Sequence, residues 1–334
     1  MVGAGGLGCP ALLYLAAAGI GTLGIVDADQ VSLSNLQRQI LFDTADCGQL
    51  KTAVAARRLR ALHPQVSVQE FPVAFSAGNA AGLAADFDLI LDCSDNFPTR
   101  YLASDTGVWL RKPVVYGSIH QFEGQVSVFA PSLGAPCYRC MFPVPPAPGS
   151  VPDCNTAGVL GVLAGLIGTL QAAEAIKILT KTGEPLLGRL LHVETLGMRF
   201  REFQLRRDPQ CPVCGAQPTV HGPIDYEHFC GLPPPEPGLE IAPAQLPQAR
   251  TSHFVLDVRE AWEHSLMPFP ADQWIAWPEL EKHLAELPRD RPILTICRVG
   301  LRSRESARLL RHHGHPTAVS LEGGLEALDE TTEP

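Results

Sequence analysis

The sequence has little positive charge and no long run of charges of one sign. Its 26 Lys and Arg residues are outnumbered by 35 Asp and Glu residues, which gives a net charge of −9 over 334 residues. This balance argues against a general nucleic-acid-binding protein. The apolar first twenty residues lack the basic segment of a signal peptide, and the apolar stretch at residues 158–170 is too short to span a bilayer. We therefore expect a cytoplasmic protein that binds neither nucleic acid nor a membrane.

The chain alternates short apolar runs with helical patterns, as a parallel α/β sheet requires. Strands are predicted at residues 22–26, 67–71, 89–93 and 114–117, with antiparallel additions at 125–130 and 190–205. Two proline-rich stretches interrupt the pattern, at residues 142–153 and 232–238. We expect a Rossmann-like nucleotide-binding domain with a mostly parallel sheet over residues 1–216, a proline-rich linker over 217–239, and a small α/β domain over 240–334.

A glycine-rich loop opens the first predicted helix. Gly3, Gly5 and Gly8 form G-x-G-x-x-G, and Asp27 ends the next strand, where a carboxylate can bind ribose hydroxyls. NAD enzymes, flavin enzymes and ATP users share this pattern, so alone it does not choose among them. Only Met1 and Val2 precede the loop. We therefore expect that the start is truncated or misassigned and that the first strand is missing.

Cationic and amide side chains follow the ribose carboxylate. Arg38 stands in the run Ser34-Asn35-Leu36-Gln37-Arg38-Gln39, and Lys51 begins the next predicted helix. Asp95 and Asn96 come just past a strand, at the edge of the sheet where ligands bind. An arginine and a lysine suit a triphosphate, and Asp95 suits Mg²⁺. This combination favours ATP over a dinucleotide.

These segments resemble the MoeB/ThiF family of ubiquitin-activating-like enzymes. The resemblance rests on GAGGLG, VDADQVSLSNLQRQ, GQLK and LDCSDN, in the family's order, and covers about residues 2–215. It implies that Gly6 and Asp27 hold the nucleotide and that Asp95 organises magnesium and the reacting centre. The residues implied to bind ATP are Gly3, Gly5, Gly6, Gly8, Asp27, Ser34, Asn35, Leu36, Gln37, Arg38, Gln39, Lys51, Asp95 and Asn96.

The resemblance also implies an activity. Family members adenylate the C-terminal glycine of a small ubiquitin-like carrier protein, with Arg38, Lys51 and Asp95 here in the catalytic roles. They are usually homodimers. They usually carry an additional N-terminal helix, which this sequence lacks.

The cysteines divide by role. Ten cysteines without an export signal indicate a reducing compartment, where thiols serve as ligands or nucleophiles. Two C-x-x-C pairs predict a closed, structural zinc site; they are Cys137, Cys140, Cys211 and Cys214. Cys154 ends the first proline-rich stretch and precedes an apolar helix, whose N-terminus favours a thiolate. In ThiF-like relatives a cysteine at this position bonds covalently to the activated carrier; an unreactive surface thiol is the alternative.

A second sulfur motif lies in the small domain. The run Cys297-Arg298-Val299-Gly300-Leu301-Arg302-Ser303 follows a strand and opens a helix. It resembles the active loop of rhodanese-like domains, which implies a persulfide on Cys297 with Arg298, Gly300 and Arg302 forming the loop. The domain departs from that pattern at residues 265–270, where the usual turn is replaced, and in lacking a tryptophan after Gly324.

The whole sequence therefore predicts an ATP-dependent adenylyltransferase with sulfurtransferase activity. The expected partner is a MoaD-type carrier ending in Gly-Gly, for molybdopterin synthesis, or secondly a ThiS-type carrier, for thiamine synthesis. Expected cofactors are ATP, Mg²⁺ and structural Zn²⁺, and the sulfur donor is not specified by the sequence. Two other classes stay open at this point: an NAD(P)-dependent oxidoreductase, and a non-catalytic zinc-stabilised binding protein.

Overall fold

The first two predicted strands form and pair in parallel; the first is buried along most of its length, whereas the second is mostly exposed. In the computed structural model, strand β1 (Thr22–Val26) and strand β2 (Ser67–Phe71) have the predicted bounds and pair in parallel. The structure describes residues 1–146, 158–232, 236–298 and 300–329. The chain divides into two units, Met1–Pro233 and Pro234–Pro334, and each has its own hydrophobic core.

The first unit is a sheet flanked by helices. Its remaining strands are β3 Ile90–Asp92, β4 Val114–His120, β5 Glu123–Phe129, β6 Arg189–Glu194 and β7 Arg199–Gln204. Its helices are α1 Gly8–Ala17, α2 Lys51–Leu62, α3 Ala80–Ala84, α4 Phe97–Trp109, α5 Tyr138–Met141, α6 Gly161–Thr180 and α7 Tyr226–Phe229. The 3₁₀ turns are Leu33–Asn35, Thr44–Asp46 and Pro131–Leu133.

The first two residues take the place of the strand that we expected to be missing. Val2 bridges in parallel to Val26 of β1 on one side and to Asp92 of β3 on the other. The Val2 amide donates to the Leu91 carbonyl at 2.8 Å, and the Val26 amide donates to the Met1 carbonyl at 3.0 Å. The main chain of Met1 and Val2 therefore joins β1 to β3, and the glycine loop that follows lies between these two strands.

The far side of the sheet is antiparallel. Strand β3 pairs in parallel with β4, and then β4, β5, β6 and β7 pair antiparallel in chain order. This confirms the two predicted antiparallel additions. All residues of β7 are exposed, so the sheet ends at that strand.

Helix α6 packs in the core of the first unit. Leu163, Ile167, Ala172 and Ala175 are buried in the main hydrophobic cluster together with residues of α1. Among the described residues, α6 alone is long and apolar enough to cross a bilayer, judged by length and composition. Its Glu174 is buried as well and pairs with Lys177 at 2.5 Å. These contacts are those of a core helix.

The second unit is a smaller sheet in the order β10-β9-β11-β12-β8, with every pair parallel. Its strands are β8 Glu240–Ile241, β9 Phe254–Asp257, β10 Gln273–Trp274, β11 Ile293–Ile296 and β12 Val319–Leu321. Its helices are α8 Leu246–Ser252, α9 Ala261–Leu266, α10 Leu301–His312 and α11 Glu326–Asp329. Two 3₁₀ segments, Pro243–Gln245 and Trp277–Glu286, complete it.

Candidate active sites

A cleft of about 220 Å³ opens at the carboxyl ends of the strands of the first unit. This edge is where open α/β sheets bind ligands, because the loops after the strands meet there. Nine of the predicted residues line the cleft: Gly3, Gly5, Gly6, Asp27, Arg38, Gln39, Lys51, Asp95 and Asn96. The fold therefore brings together four segments that are distant in sequence.

Asp27 lies just past β1 and is held by main-chain amides. Its Oδ2 accepts from the Ala4 amide at 2.7 Å, and its Oδ1 accepts from the Asp29 amide at 2.9 Å. Burial raises the pKa of Asp27 above its usual value, an effect that Lys51 partly offsets. The carboxylate is thus fixed beside the glycine loop, at the position expected for ribose hydroxyls.

Lys51 begins α2 and is buried, with 4% of its surface exposed. Its Nζ donates to Asp29 Oδ2 at 2.7 Å. Burial works to lower the pKa of Lys51, but the charges of Asp27 and Asp29 outweigh that effect and raise it. The ammonium group therefore stays charged in the cleft, as electrostatic stabilisation of phosphate requires.

Arg38 lies against the glycine loop. Its Nη2 donates to Asn35 Oδ1 at 2.8 Å, and its Cγ is 3.3 Å from the ideal Cβ position of Gly6. The side chain is buried. Asn35 thus orients Arg38, and the absence of a Cβ at Gly6 makes room for both the arginine and a ligand.

Asp95 and Asn96 follow β3. Both are exposed to the cleft, and Asn96 caps α4 by accepting from the Thr99 amide at 3.0 Å. The cap fixes the turn that carries Asp95. A carboxylate and an amide oxygen are groups that Mg²⁺ accepts as ligands, so the residues present fit that ion.

Five predicted nucleotide-site residues are absent from the cleft lining. Gly8 packs instead, because a Cβ there would lie 2.3 Å from the Gly3 carbonyl oxygen. Asn35 acts through Arg38, and Ser34 Oγ lies 3.1 Å from Ser32 Oγ. Leu36 packs against the main core, and Gln37 is exposed.

The cleft also contains residues that the motifs did not indicate. Asp29, Phe75 and Arg100 line it. Asp29 could have been found by its spacing from Asp27, since both follow the same strand. Arg100 lies in α4 and is only 8% exposed. Its position next to the cleft depends on packing, and no local signal in the sequence reveals it.

The four predicted zinc ligands meet at one point. All four sulfurs lie within 4.8 Å of one another, with separations of 3.8 Å (Cys137–Cys140), 3.5 Å (Cys137–Cys211) and 3.4 Å (Cys140–Cys214). Sulfurs at about 2.3 Å from a tetrahedral zinc are about 3.8 Å apart, so the cluster fits that ion. The Asp208 amide donates to Cys140 Sγ at 3.4 Å, a second-sphere contact typical of such sites.

A buried ion pair supports the first thiol pair. Arg139 stands between Cys137 and Cys140, and its Nη2 donates to Asp105 Oδ2 at 2.8 Å. Tyr226 also donates to Asp105 at 2.9 Å, and the guanidinium lies 4.3 Å from the ring centroid of Phe229. The thiol cluster is therefore anchored to helix α4, the same helix that borders the cleft.

In the second unit, the predicted sulfur loop encloses its cysteine. Cys297 follows β11 and is fully buried. Its Sγ accepts from the Gly300 amide at 3.1 Å and from the Ser303 amide at 3.4 Å, and lies 3.3 Å from Ser303 Oγ. Amides at the start of α10 therefore point at the sulfur, as a thiolate or persulfide requires.

The arginines of the sulfur loop form ion pairs. Arg302 pairs with Glu263 at 2.6 Å, and Arg298 pairs with Glu326 at 2.6 Å. Burial works to raise the pKa of Glu263, but the hydrogen bonds from Arg302 and the Glu260 amide and the arginine charges together outweigh it, so the pKa is lowered. These pairs tie the loop to α9 and α11.

The run Asp257-Val258-Arg259-Glu260, which precedes the sulfur loop in rhodanese-like domains, also forms a network of ion pairs. Asp257 accepts from Arg259 at 2.6 Å and from His264 at 3.0 Å. Arg259 also donates to the Met267 carbonyl at 2.7 Å, which anchors the segment that replaces the usual turn. Cys154 lies outside the described residues, as does Val299.

Two protein-family profiles match most of the chain. The ThiF family profile matches residues 1–213, and the rhodanese-like domain profile matches residues 243–331. The sulfur carrier protein adenylyltransferase of Thermus thermophilus is 53% identical over 70% of this chain and 87% of its own length. The probable adenylyltransferase/sulfurtransferase MoeZ of Mycobacterium tuberculosis is 40% identical over 100% of this chain and 87% of its own.

Two further comparisons agree. The adenylyltransferase and sulfurtransferase MOCS3 of Drosophila virilis is 39% identical over 98% of this chain and 77% of its own. Among solved structures, E. coli MccB with ATP is 23% identical with a TM-score of 0.57, covering 64% of this chain and 65% of that one. At this identity the structural likeness shows the fold alone.

Proposed function

Because the chain belongs to the ThiF family and carries a rhodanese-like domain, we propose that it adenylates the C-terminal glycine of a small sulfur carrier and then passes sulfur to it. It is an enzyme of the adenylyltransferase and sulfurtransferase type. The observation that carries the proposal is the cleft, where Arg38, Lys51 and Asp95 surround the glycine loop. This set of charges suits a triphosphate with its metal ion better than a hydride-transfer cofactor.

The first reaction is proposed as follows. A carboxylate oxygen of the carrier attacks the α-phosphorus of ATP, the bond to the bridging oxygen breaks, and pyrophosphate leaves. Arg38 and Lys51 stabilise the charge that develops on pyrophosphate, so catalysis is mainly positioning and electrostatics. Asp95, with Asn96, would hold Mg²⁺, which would neutralise phosphate charge. Gly3, Gly5, Gly6, Asp27 and Gln39 would bind the nucleotide.

The second reaction uses Cys297. The cysteine takes sulfur from a donor, and the terminal sulfur of the persulfide attacks the acyl carbon, so that AMP leaves. Another thiol then reduces the resulting acyl disulfide and frees the carrier thiocarboxylate. Cys154 is our proposed residue for a covalent bond to the activated carrier, and Arg298, Gly300 and Arg302 are proposed to hold the anionic sulfur.

We propose a MoaD-type carrier first and a ThiS-type carrier second, so that the product serves molybdopterin or thiamine synthesis. The names of the MoeZ and MOCS3 relatives support adenylation and sulfur transfer together. We further propose a zinc ion on the four thiolates, a homodimer, a cytoplasmic location, and domain bounds of 1–216 and 240–334 joined by the linker 217–239.

Exchange of labelled pyrophosphate into ATP tests the proposal. Exchange should require Mg²⁺ and a carrier ending in Gly-Gly, and a carrier lacking its last two glycines is the matched control. Exchange with a MoaD-type carrier but not with a ThiS-type carrier would settle the choice between them. If purified protein shows no exchange with either, the proposed function is wrong.

A further inference from the structure

Arg100 is a buried cation that has weak hydrogen bonding and no ion pair with any residue that the structure describes. Only 8% of the residue is exposed, and its Nη2 donates to the Ser94 carbonyl at 3.4 Å, which is long for such a bond. Its Nε has no hydrogen-bond acceptor in the described part of the chain. A guanidinium carries five donors, and leaving buried donors unpaired costs stability.

The surroundings of Arg100 are mostly apolar and aromatic. The guanidinium carbon lies 5.4 Å from the ring centroid of Phe97 and 6.0 Å from that of Tyr116. The buried carboxylate of Asp92 is engaged by the Ser94 amide at 3.0 Å and the Ser94 hydroxyl at 2.6 Å, and it forms no ion pair with Arg100 among the described residues. Aromatic rings and a carboxylate that is already hydrogen-bonded surround the cation, and its Nε–H is left without an acceptor in the described part of the chain.

Arg100 shares the cleft with Arg38 and Lys51 but belongs to a different group of contacts. Arg38 lies against Gly6, and Lys51 lies against Asp29. Arg100 lies instead beside Ser94, and Ser94 directly precedes Asp95 in the chain. The adenylation reaction brings two anions together in one cleft, a triphosphate and a carboxylate, and their repulsion must be offset by separate cations.

We propose that Arg100 binds the C-terminal carboxylate of the carrier protein and positions it for attack on the α-phosphorus. This inference rests on the proposed adenylation and names a substrate contact within it. The planar guanidinium presents two parallel N–H groups, which match the two oxygens of a carboxylate.

The chemistry indicates which kinetic constant depends on Arg100. The attacking carboxylate loses its negative charge as the acyl-adenylate forms, so a cation that holds this charge stabilises the bound carrier more than the transition state. Binding that is not increased in the transition state lowers KM rather than raising kcat. Arg100 should therefore govern the KM for the carrier, whereas Arg38 and Lys51 should govern pyrophosphate departure.

A binding experiment without ATP isolates the contact. A Gly-Gly-ended MoaD-type carrier is prepared with its natural terminal carboxylate and with a terminal carboxamide, and the Kd of each for the full chain is measured by calorimetry. The wild type should prefer the carboxylate by about tenfold or more, since charge-assisted hydrogen bonds are lost with the amide. Arg100→Met should bind both forms equally, and Arg100→Lys should show a reduced preference. Arg38→Met is the matched control and should keep the full preference.

Exchange kinetics provide the second readout. Arg100→Met should raise the KM for the carrier by about tenfold or more while the KM for ATP changes by less than about twofold. The proposal is overturned if Arg100→Met keeps the carboxylate preference, if Arg38→Met loses it instead, or if the KM for ATP rises by the same factor. Should Arg100→Met fail to fold, a full carboxylate preference in Arg100→Lys overturns the proposal equally. Absence of exchange in the wild type would instead reject the proposed function.

Discussion

The cleft of the first unit and the sulfur loop of the second unit differ in how open they are and in how far apart in sequence their residues lie. The cleft is open, and the residues that line it come from the glycine loop, the segment after β1, the start of α2 and the turn after β3. The sulfur loop is closed, and the atoms around Cys297 Sγ come from within seven consecutive residues. The proposed substrates of the cleft, ATP and the C-terminal tail of a carrier protein, would need space and several separate cations. A single sulfur atom needs only main-chain amides close to it.

The two sites also use arginine differently. In the sulfur loop, Arg298 and Arg302 are paired with glutamates, so they hold the loop in shape. In the cleft, Arg100 forms no ion pair among the described residues. An ion pair fixes an arginine within its own loop, whereas the buried Arg100 keeps an Nε–H that no acceptor in the described part of the chain satisfies.

The largest expected effect separates the two sites at Asp95. Asp95→Ala should reduce carrier-dependent ATP–pyrophosphate exchange by about 10²- to 10³-fold or more, because the Mg²⁺ ion that we propose Asp95 holds against the phosphates would lose a ligand. Sulfur transfer from thiosulfate to cyanide should be unchanged. Asp86→Ala, which removes an exposed aspartate of the same unit away from the cleft, is the control and should keep both activities. Normal exchange in Asp95→Ala would contradict the assignment.

The converse substitution is Cys297→Ala. It should abolish thiosulfate:cyanide sulfur transfer, because no persulfide can form, and it should leave exchange at the level of the wild type. Cys297→Ser, which keeps the size of the side chain, should behave in the same way. A loss of exchange in either variant would show that the two sites do not act independently.

The sulfur loop, whose residues are contiguous, was predictable from the sequence. The cleft of the first unit, which is assembled from distant segments, was predictable only in part. The residues of the sulfur loop lie side by side in the chain, so their geometry follows from one strand, one turn and one helix. Strand β1 has its predicted bounds because an apolar run between turns leaves little choice, and β2 also has its predicted bounds, although only Val68 in it is buried. The spacing of the four thiols shows that they form two C-x-x-C pairs, and the fold brings the two pairs together.

What the sequence could not supply depends on tertiary packing. From the sequence, Arg100 is an ordinary residue of a predicted helix. Its special surroundings, Tyr116 of β4 and the Ser94 carbonyl, are known only from the fold. The segment before the glycine loop is too short to be predicted as a strand. Val2 nevertheless bridges β1 and β3 through its main chain, and main-chain contacts leave no pattern in the sequence of side chains. Such features arise from neighbours that are distant in sequence, and no local motif encodes them.

Metal removal should affect only one of the two units. Cys211→Ser should abolish binding of the zinc ion that we propose on the four thiolates and lower the free energy of unfolding of the first unit by about 4 kcal/mol or more, since a structural metal would be lost. The thermal transition of the second unit should not move. Cys230→Ser is the control, because Cys230 is buried in the same unit but lies outside the thiol cluster. Zinc content by atomic absorption and scanning calorimetry measure the outcome, and a shift in both transitions would contradict it.

The smallest expected effect tests how tightly the sulfur loop is built. Gly300 and Gly314 both have positive φ angles, of 86° and 95°, but only Gly300 is crowded: a Cβ there would lie 2.9 Å from the Gly323 amide nitrogen, whereas nothing lies within 4 Å at Gly314. Gly314→Ala should cost about 1 kcal/mol of unfolding free energy for its backbone conformation alone and keep sulfur transfer. Gly300→Ala should cost about 1–3 kcal/mol more, because main chain must move. It should also impair sulfur transfer, since the Gly300 amide donates to Cys297 Sγ. Equal stability and activity in the two variants would mean that the loop around Cys297 is not closed as tightly as its contacts indicate.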